Sequence, residues 1–98
     1  MQTQRIQVQG FSVNYAMLGC PDGRLDTDRE TLVFLQGWGT SISIYPKLLE
    51  HMAQFVPVLA ADFPGFGETA EPSQPWGVGE FADFVIELIA ALALKKVI

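Results

Sequence analysis

The apolar positions of the chain change their period several times, and each change predicts one element. In residues 4–9, Ile6 and Val8 alternate with polar residues, and a second alternating run follows Gly10. Two runs of period two joined at a glycine predict an antiparallel hairpin with one face in water. The unbroken apolar run at residues 31–35 is typical of a strand that is buried on both faces in a parallel sheet.

Two later stretches have the three- and four-residue spacing of amphipathic helices. The first covers residues 43–54 and contains Pro46, which is tolerated if it lies in the first turn. The second covers residues 79–94, and its apolar face is formed by Val78, Phe81, Val85, Leu88 and Leu92. Apolar runs at residues 56–61 and 97–98 predict a strand between the helices and the start of another after them.

The order of these elements indicates the fold class. Strands that alternate with helices pair in parallel through right-handed crossovers. The sequence therefore predicts an α/β fold with a mostly parallel sheet, an antiparallel N-terminal hairpin and flanking helices. We interpret residues 1–98 as a single, incomplete domain.

Charge and hydropathy exclude several classes of partner. The formal net charge is −5, from eleven acidic and six basic residues, and no basic stripe is present to neutralise the phosphates of nucleic acid or of an anionic membrane. The apolar runs are far shorter than the roughly 20 residues of a membrane-spanning helix, and the first residues do not resemble a signal peptide. We therefore expect a cytoplasmic protein that binds neither nucleic acid nor membranes.

The sequence predicts no metal and no cofactor. Asp26, Asp28 and Glu30 alternate in a polar loop, but this run lacks the glycine and the distal glutamate of a calcium-binding loop. We interpret it as a loop in solvent. Cys20 is the single cysteine, so no disulfide forms within the chain, and no Cys/His cluster suggests zinc.

Two loops that contain glycine are the candidates for chemistry. Residues 36–39 (Q-G-W-G) follow the third predicted strand, and residues 62–69 (D-F-P-G-F-G-E-T) follow the fourth. Ligands of open α/β sheets bind at the carboxyl ends of the strands, where both loops are expected. A dinucleotide site is one hypothesis for the first loop, although Ile42 stands where its third glycine would be.

The two loops together resemble those of a known family. Residues 33–41 (V-F-L-Q-G-W-G-T-S) resemble the H-G-x-x loop of α/β-hydrolases, and residues 62–69 resemble the D-x-x-G-x-G-x-S segment after their fourth strand. The helices between and after the loops match as well, so the resemblance covers residues 4–98. It implies the N-terminal part of an α/β-hydrolase fold, which ends before the nucleophile elbow.

The resemblance also implies roles for individual residues. The backbone N–H of Trp38 matches the first oxyanion-hole donor of the family, and Gly37 lets that backbone approach a substrate. Gln36 stands where the family usually has histidine, which raises the question of how rigid the loop is. Thr69 replaces the usual serine and keeps a hydroxyl group, and Asp62 is expected to bind N–H groups of its own turn.

No catalytic triad can be assembled from the 98 residues. The family's nucleophile lies on a G-x-S-x-G elbow after the fifth strand, and its acid and histidine follow later. His51 is expected mid-helix, and no such elbow contains Ser12, Ser41, Ser43 or Ser73. We therefore expect a hydrolase that cleaves an ester, amide or related bond of a small molecule through a nucleophile beyond residue 98, and we expect the chain alone to be inactive.

Two further expectations concern the sheet edge and the aromatic residues. A fifth strand that is only begun would leave an apolar edge on the third strand, which predicts self-association and poor solubility. A non-enzymatic α/β interaction module and a nucleotide-binding domain stay open as alternatives. Aromatic residues in or beside the two loops form either an apolar substrate pocket or ordinary core: Trp38, Tyr45, Phe63, Phe66 and Trp76.

Overall fold

The structure, a computed structural model, describes residues 1–20 and 28–98. In this part of the chain the strands are β1 (Gln4–Val8), β2 (Phe11–Leu18), β3 (Glu30–Phe34), β4 (Val58–Ala61) and β5 (Lys96–Val97). The α-helices are α1 (Pro46–Met52) and α2 (Val78–Ala91), and a short 3-10 helix, Ile42–Ile44, precedes α1. The predicted turn at residues 20–23 and the prediction for Asp26 fall wholly or partly outside the described residues.

The strands form one sheet in the order β1-β2-β4-β3-β5. The β1–β2 hairpin is antiparallel, and β2 pairs antiparallel with β4. β3 lies between β4 and β5 and is parallel to both. The predicted α/β class with an antiparallel N-terminal hairpin is confirmed.

The two helices cover opposite faces of the sheet. Successive residues of β4 alternate between these faces, as a strand requires, and all four are buried. On one face, Leu59 packs in a cluster with Phe84 and Leu88 of α2. On the other face, Val58 packs in a cluster with Leu49 of α1. β4 is therefore fixed from both sides, and the loop that follows it starts from a rigid strand.

The helix predicted at residues 43–54 is interrupted at Tyr45. This residue has φ −116° and ψ 23°, so the 3-10 helix ends there and α1 begins at Pro46. Proline disfavours the α conformation of the residue before it and lacks an N–H, so it is accommodated only at a helix start. The Ser41 hydroxyl accepts a hydrogen bond from the N–H of Ser43 (3.2 Å) and caps the 3-10 helix instead.

β3 is less buried than its apolar sequence predicted. Thr31 is buried, but the next residues are only half-buried and Leu35 is 58% exposed. The reason is the short β5, which pairs with Glu30 and Thr31, while the Ile98 carbonyl accepts one more bond from Val33 N–H (3.0 Å). Past Val33, β3 has a neighbouring strand on its β4 side and none on its β5 side among the described residues.

α2 begins and ends earlier in the chain than the predicted range of residues 79–94. Val78 is its first residue and is 87% exposed, so it does not belong to the buried face. The helix ends at Ala91 because Ala93 takes a positive φ of 55°, which a right-handed helix does not allow. No helix in the described residues is long and apolar enough to cross a membrane.

Candidate functional site

Two loops meet at the carboxyl ends of the neighbouring parallel strands β3 and β4. The first, called here the β3 loop, is residues 36–40, and the second, the β4 loop, is residues 62–69. The main chain of the β4 loop is bound by the side chain of Gln36, whose Oε1 accepts a hydrogen bond from Phe63 N–H (3.2 Å). The structure therefore brings together the two segments that the sequence singled out.

Asp62 is the centre of a closed hydrogen-bond network. It is fully buried, and its Oδ1 accepts hydrogen bonds from the Ile42 N–H (2.9 Å) and the Ser41 hydroxyl (3.0 Å). Its Oδ2 accepts from Asn14 Nδ2 (3.0 Å) and from the Glu68 N–H (3.0 Å). Four donors surround the buried carboxylate, as a buried charge requires. We call these five residues the Asp62 network.

The role expected for Asp62 was therefore too local. The bond from Glu68 N–H lies within its own turn, as predicted, but the other three donors come from β2 and from the segment that begins the 3-10 helix. No local pattern indicates such partners, because they are 20 to 48 residues away in the chain. The Asp62 carboxylate thus links β2, the segment that begins the 3-10 helix and the β4 loop.

Two further residues of the β4 loop, Gly67 and Thr69, also support the Asp62 network. Gly67 has a positive φ of 52°, and a Cβ there would lie 2.3 Å from Asp62 Oδ2. Only glycine therefore fits at this position. The Thr69 hydroxyl, buried in the structure, accepts a hydrogen bond from the Asn14 N–H (3.0 Å), so replacing serine with threonine preserves this bond.

The β3 loop is held at both ends by Gln36. Its side chain is buried, its Oε1 binds the β4 loop, and its Nε2 donates to the carbonyl of Thr40 at the far end of the β3 loop. Between these ends, Thr40 N–H donates to the Gly37 carbonyl (3.2 Å), which closes a four-residue turn. Gln36 thus holds the loop at the position where the similar α/β-hydrolase motif usually has histidine.

The middle of this turn leaves backbone donors free. In the described part of the chain, no hydrogen bond uses the N–H of Gly37, Trp38 or Gly39. Gly39 has φ +76° with no atom within 4 Å of an added Cβ, so its glycine serves the turn conformation rather than close packing. The sequence-predicted residues Gly37 and Trp38 are thus held in an ordered turn with unpaired N–H groups.

The Trp38 side chain belongs to a group of aromatic rings above the two loops. It is 79% exposed, and its ring meets Phe66 edge-on with centroids 5.1 Å apart and Phe81 at 5.8 Å. Trp76 contacts the same Phe81 at 5.3 Å. The five aromatic residues of the sequence analysis therefore divide into two groups. Trp38, Phe66 and Trp76 line an open surface. Tyr45 packs on Phe34 on the α1 side of the sheet, and Phe63 packs on Phe84 on the α2 side.

Of the remaining nucleophile and base candidates, Ser73 lines a groove together with Trp38, whereas His51 and Cys20 do not line that groove. His51 lies exposed on α1, where its imidazole contacts the Phe55 ring and makes no hydrogen bond in the described residues. Burial raises the pKa of the Cys20 thiol, an effect opposed by the charge of Arg29, so the reactive thiolate is disfavoured. The Ser41 hydroxyl is used by the Asp62 network.

The described residues contain no metal cluster. No group of three His, Cys, Asp or Glu side chains that could hold an ion is found in residues 1–20 and 28–98. Asp28, one of the three acids considered in the sequence, pairs with Lys95 Nζ at 3.5 Å. Asp62, the acid of the dinucleotide hypothesis, directs both carboxylate oxygens into the chain, which leaves neither free for a ribose hydroxyl.

Comparison with solved structures identifies similar folds in several enzymes. One is a membrane phospholipase A described as a bacterial virulence factor: the TM-score is 0.83, the identity is 23%, and the match covers 98% of this chain and 29% of that one. Another is the haloalkane dehalogenase DatA from Agrobacterium tumefaciens C58, with a TM-score of 0.79, 20% identity, and coverage of 98% and 30%.

A third similar structure is the enol-lactonase from Burkholderia xenovorans LB400. Its TM-score is 0.77, its identity is 21%, and the match covers 91% of this chain and 33% of that one. The chain thus spans about 30% of the length of these structures. No protein-family model and no curated protein sequence matches it.

Proposed function

We propose that this chain, which has the α/β-hydrolase fold, supplies the oxyanion-hole loop of an enzyme that hydrolyses an ester, amide or related bond in a small molecule. The supporting observation is the unpaired N–H of Trp38 in a turn that Gln36 holds at both ends. A donor that is already ordered stabilises the negative charge that develops on a carbonyl oxygen, because it needs no reorganisation during the reaction.

The rest of the catalytic machinery in this proposal lies beyond residue 98. In this family the nucleophile follows the fifth strand, and its acid and histidine come later. The proposal therefore assigns binding and charge stabilisation to Gly37 and Trp38, and bond cleavage to a serine, aspartate or cysteine outside the chain. The 98-residue chain by itself is proposed to be inactive. A cytoplasmic location, which rests on the sequence alone, belongs to the same proposal.

The test removes the proposed donor and nothing else of the backbone. Trp38 occupies the second position of the turn and has no positive φ, so proline, which lacks the N–H, suits this position. The matched control is Trp38→Ala, which also loses the indole but keeps the N–H. Both variants are made in the protein expressed at its full encoded length, and ethyl acetate hydrolysis is measured.

We expect kcat of Trp38→Pro to be about 10²- to 10³-fold below that of Trp38→Ala, as for the loss of one oxyanion-hole donor. Circular dichroism and the melting temperature of the two variants show whether both are folded. Equal kcat values in two folded variants would contradict the assignment of the donor. A full-length protein that hydrolyses no ester or amide would contradict the hydrolase function.

The alternative of an interaction module rests on the edge of β3. Leu35 is exposed, and the β5 side of β3 has no strand partner past Val33 in the described residues. An unpaired apolar edge can accept another strand, so self-association through this edge is the proposed partner interaction. If self-association is the function of the protein, then the protein at its full encoded length forms a defined oligomer and has no hydrolase activity.

The nucleotide-binding alternative has a simple test. A nicotinamide or purine nucleotide that binds the native state raises the melting temperature in proportion to the logarithm of its concentration. No shift is expected, because the carboxylate of Asp62 already accepts four hydrogen bonds from the chain. A shift that depends on Gly37 would instead favour the nucleotide site.

A further inference from the structure

An apolar groove lies beside the β3 loop. Its volume is about 450 Å³, and it is lined by Trp38, by residues of the segment 64–76 and by Phe81 of α2. Its walls consist mainly of aromatic rings and prolines: Trp38, Phe66, Trp76, Phe81, Pro64, Pro72 and Pro75. The volume is within the usual range of small-molecule sites and roughly three times that of a cavity that binds benzene.

The rings of this groove hold one another in fixed orientations. Trp38 meets Phe66 at an interplanar angle of 72° and Phe81 at 86°, and Trp76 meets Phe81 at 74°. Trp76 is anchored further by Phe11 of β2, at a centroid distance of 5.5 Å. Edge-to-face contacts of this kind are the arrangement that aromatic pairs prefer. The groove is therefore preformed and offers further ring edges and faces to a guest.

The groove is continuous with the proposed oxyanion hole because both include Trp38. Its backbone N–H is the proposed donor, and its indole, attached to the same Cα, lines the groove. A carbonyl group bound at that N–H therefore has its substituent within reach of the indole. No other described residue contributes to both features, so Trp38 determines which substituents fit beside the carbonyl.

The charge of the groove selects against anions. Among the described residues that line it, Glu71 has the one acidic side chain, and no Lys or Arg lines it. The chain as a whole also carries a formal net charge of −5. A carboxylate on the ligand would lose its hydration and meet a negative side chain, whereas a neutral ring would meet only apolar surface.

Resting on the proposed function, we propose that this groove binds an uncharged aromatic group attached at the carbonyl of the substrate. The substrate class is then a neutral ester or amide of an aromatic carboxylic acid. Trp38 and Trp76 both line the groove, and both contact Phe81. An aromatic group bound in the groove would therefore change the surroundings of both indoles, so its binding can be detected directly.

The experiment uses three inert probes of similar size with the protein at its full encoded length. Acetophenone has a ring and a neutral carbonyl, cyclohexyl methyl ketone lacks the aromatic ring, and benzoate carries a charge. Binding is followed by two-dimensional NMR of the indole N–H signals of Trp38 and Trp76, each assigned by its loss on substitution of that residue. We expect acetophenone to shift both signals and to bind about tenfold more tightly than either other probe.

Two variants separate the groove from the rest of the surface. Trp38→Ala is expected to weaken acetophenone binding about tenfold, because it removes one wall of the groove. Phe55→Ala removes a ring that is 73% exposed and does not line the groove, so it should bind acetophenone as the parent does. Equal affinity for the three probes, or equal affinity in parent and Trp38→Ala, would overturn the proposal.

Failure of this inference is distinct from failure of the proposed function. If ester hydrolysis depends on the Trp38 N–H but esters of aromatic and of aliphatic carboxylic acids react equally in parent and Trp38→Ala, the groove assignment is overturned and the hydrolase function stands. If acetophenone binds as expected but the backbone N–H signal of Trp38 does not shift, the ring site stands and the oxyanion-hole assignment is contradicted.

Discussion

The β3 loop and the β4 loop are neighbours of similar composition, yet they use their polar groups in opposite ways. In the β4 loop, the carboxylate of Asp62 is directed inward and accepts four hydrogen bonds. The β3 loop is braced by Gln36 but leaves three successive N–H groups unpaired in the described residues. It also exposes the ring of Trp38.

This difference distinguishes a loop that stabilises the structure from a loop that can bind a ligand. A closed network of buried polar groups makes a loop rigid but leaves no group to act on a ligand. Unpaired donors in an ordered turn are costly to the fold unless a solvent molecule or a ligand uses them. In the proposed function the β4 loop is the support and the β3 loop carries the chemistry, and the following variants test that division.

The largest effect is expected for Asp62→Asn in the β4 loop. The amide NH₂ of asparagine would face donors that now bind the carboxylate, so we expect a loss of roughly 3–5 kcal/mol in the free energy of unfolding. Asp83→Asn on the exposed surface of α2 removes the same charge and should change stability by less than about 0.5 kcal/mol. Urea titration of both variants checks this, and similar values for the two would show that the network is not a support.

The next effect concerns one glycine from each loop. Gly67→Ala places a Cβ 2.3 Å from Asp62 Oδ2 and should cost roughly 2–4 kcal/mol through overpacking and an unfavourable φ. Gly39→Ala, also at positive φ but with open space around it, should cost about 1 kcal/mol. Denaturation midpoints of the two variants give the comparison. Equal costs would mean that backbone conformation, and not the buried carboxylate, requires glycine in the β4 loop.

A smaller effect on stability is expected for Gln36→Ala, which releases the brace between the loops. Its two hydrogen bonds are lost, so the free energy of unfolding should fall by roughly 1–2 kcal/mol. Hydrogen exchange of the N–H of residues 37–39 should become faster in the variant. Gln54→Ala, in the exposed turn after α1, is the control and should change neither quantity. Unchanged exchange in Gln36→Ala would show that the turn orders itself.

The smallest effect on the folded chain is expected at the sheet edge. Leu35→Lys adds a charge to an exposed position and should change stability by less than about 0.5 kcal/mol. It should nevertheless reduce self-association of the 98-residue chain, because lysine on an edge opposes strand addition. Sedimentation measures the mass, with Phe55→Lys as an exposed control away from the sheet. A parent chain that sediments as a monomer would contradict the proposed self-association.

Much of the fold could be predicted from local pattern. The alternation around Gly10 predicted the hairpin, and the apolar run at residues 56–61 predicted β4 within two residues. Helix boundaries were less accurate because they depend on single residues: Pro46 excludes Tyr45 from α1, and the positive φ of Ala93 ends the last helical turn early. The partial burial of β3 followed from the short β5, in line with the apolar edge that the sequence predicted for the third strand.

The candidate site was predictable only in part. Gly37 and Trp38 were found from the two-loop resemblance, and the structure holds them in an ordered turn, although their role as oxyanion donors stays a prediction. The bracing by Gln36 and the distant partners of Asp62 were not predicted, since they depend on contacts between residues that are 27 and 48 positions apart. That residues 1–98 form one incomplete domain also stays a prediction.

The contact between Asn14 and Asp62 has a consequence for the order of events during synthesis. The hairpin is made first, but its inner neighbour is β4, and the two residues are 48 positions apart. At ordinary ribosomal rates, roughly 2–10 s pass before Asp62 follows Asn14 out of the ribosome. During this interval β2 offers an unpaired edge. Chaperones that bind nascent strands would therefore find β2 unpaired until β4 has been made.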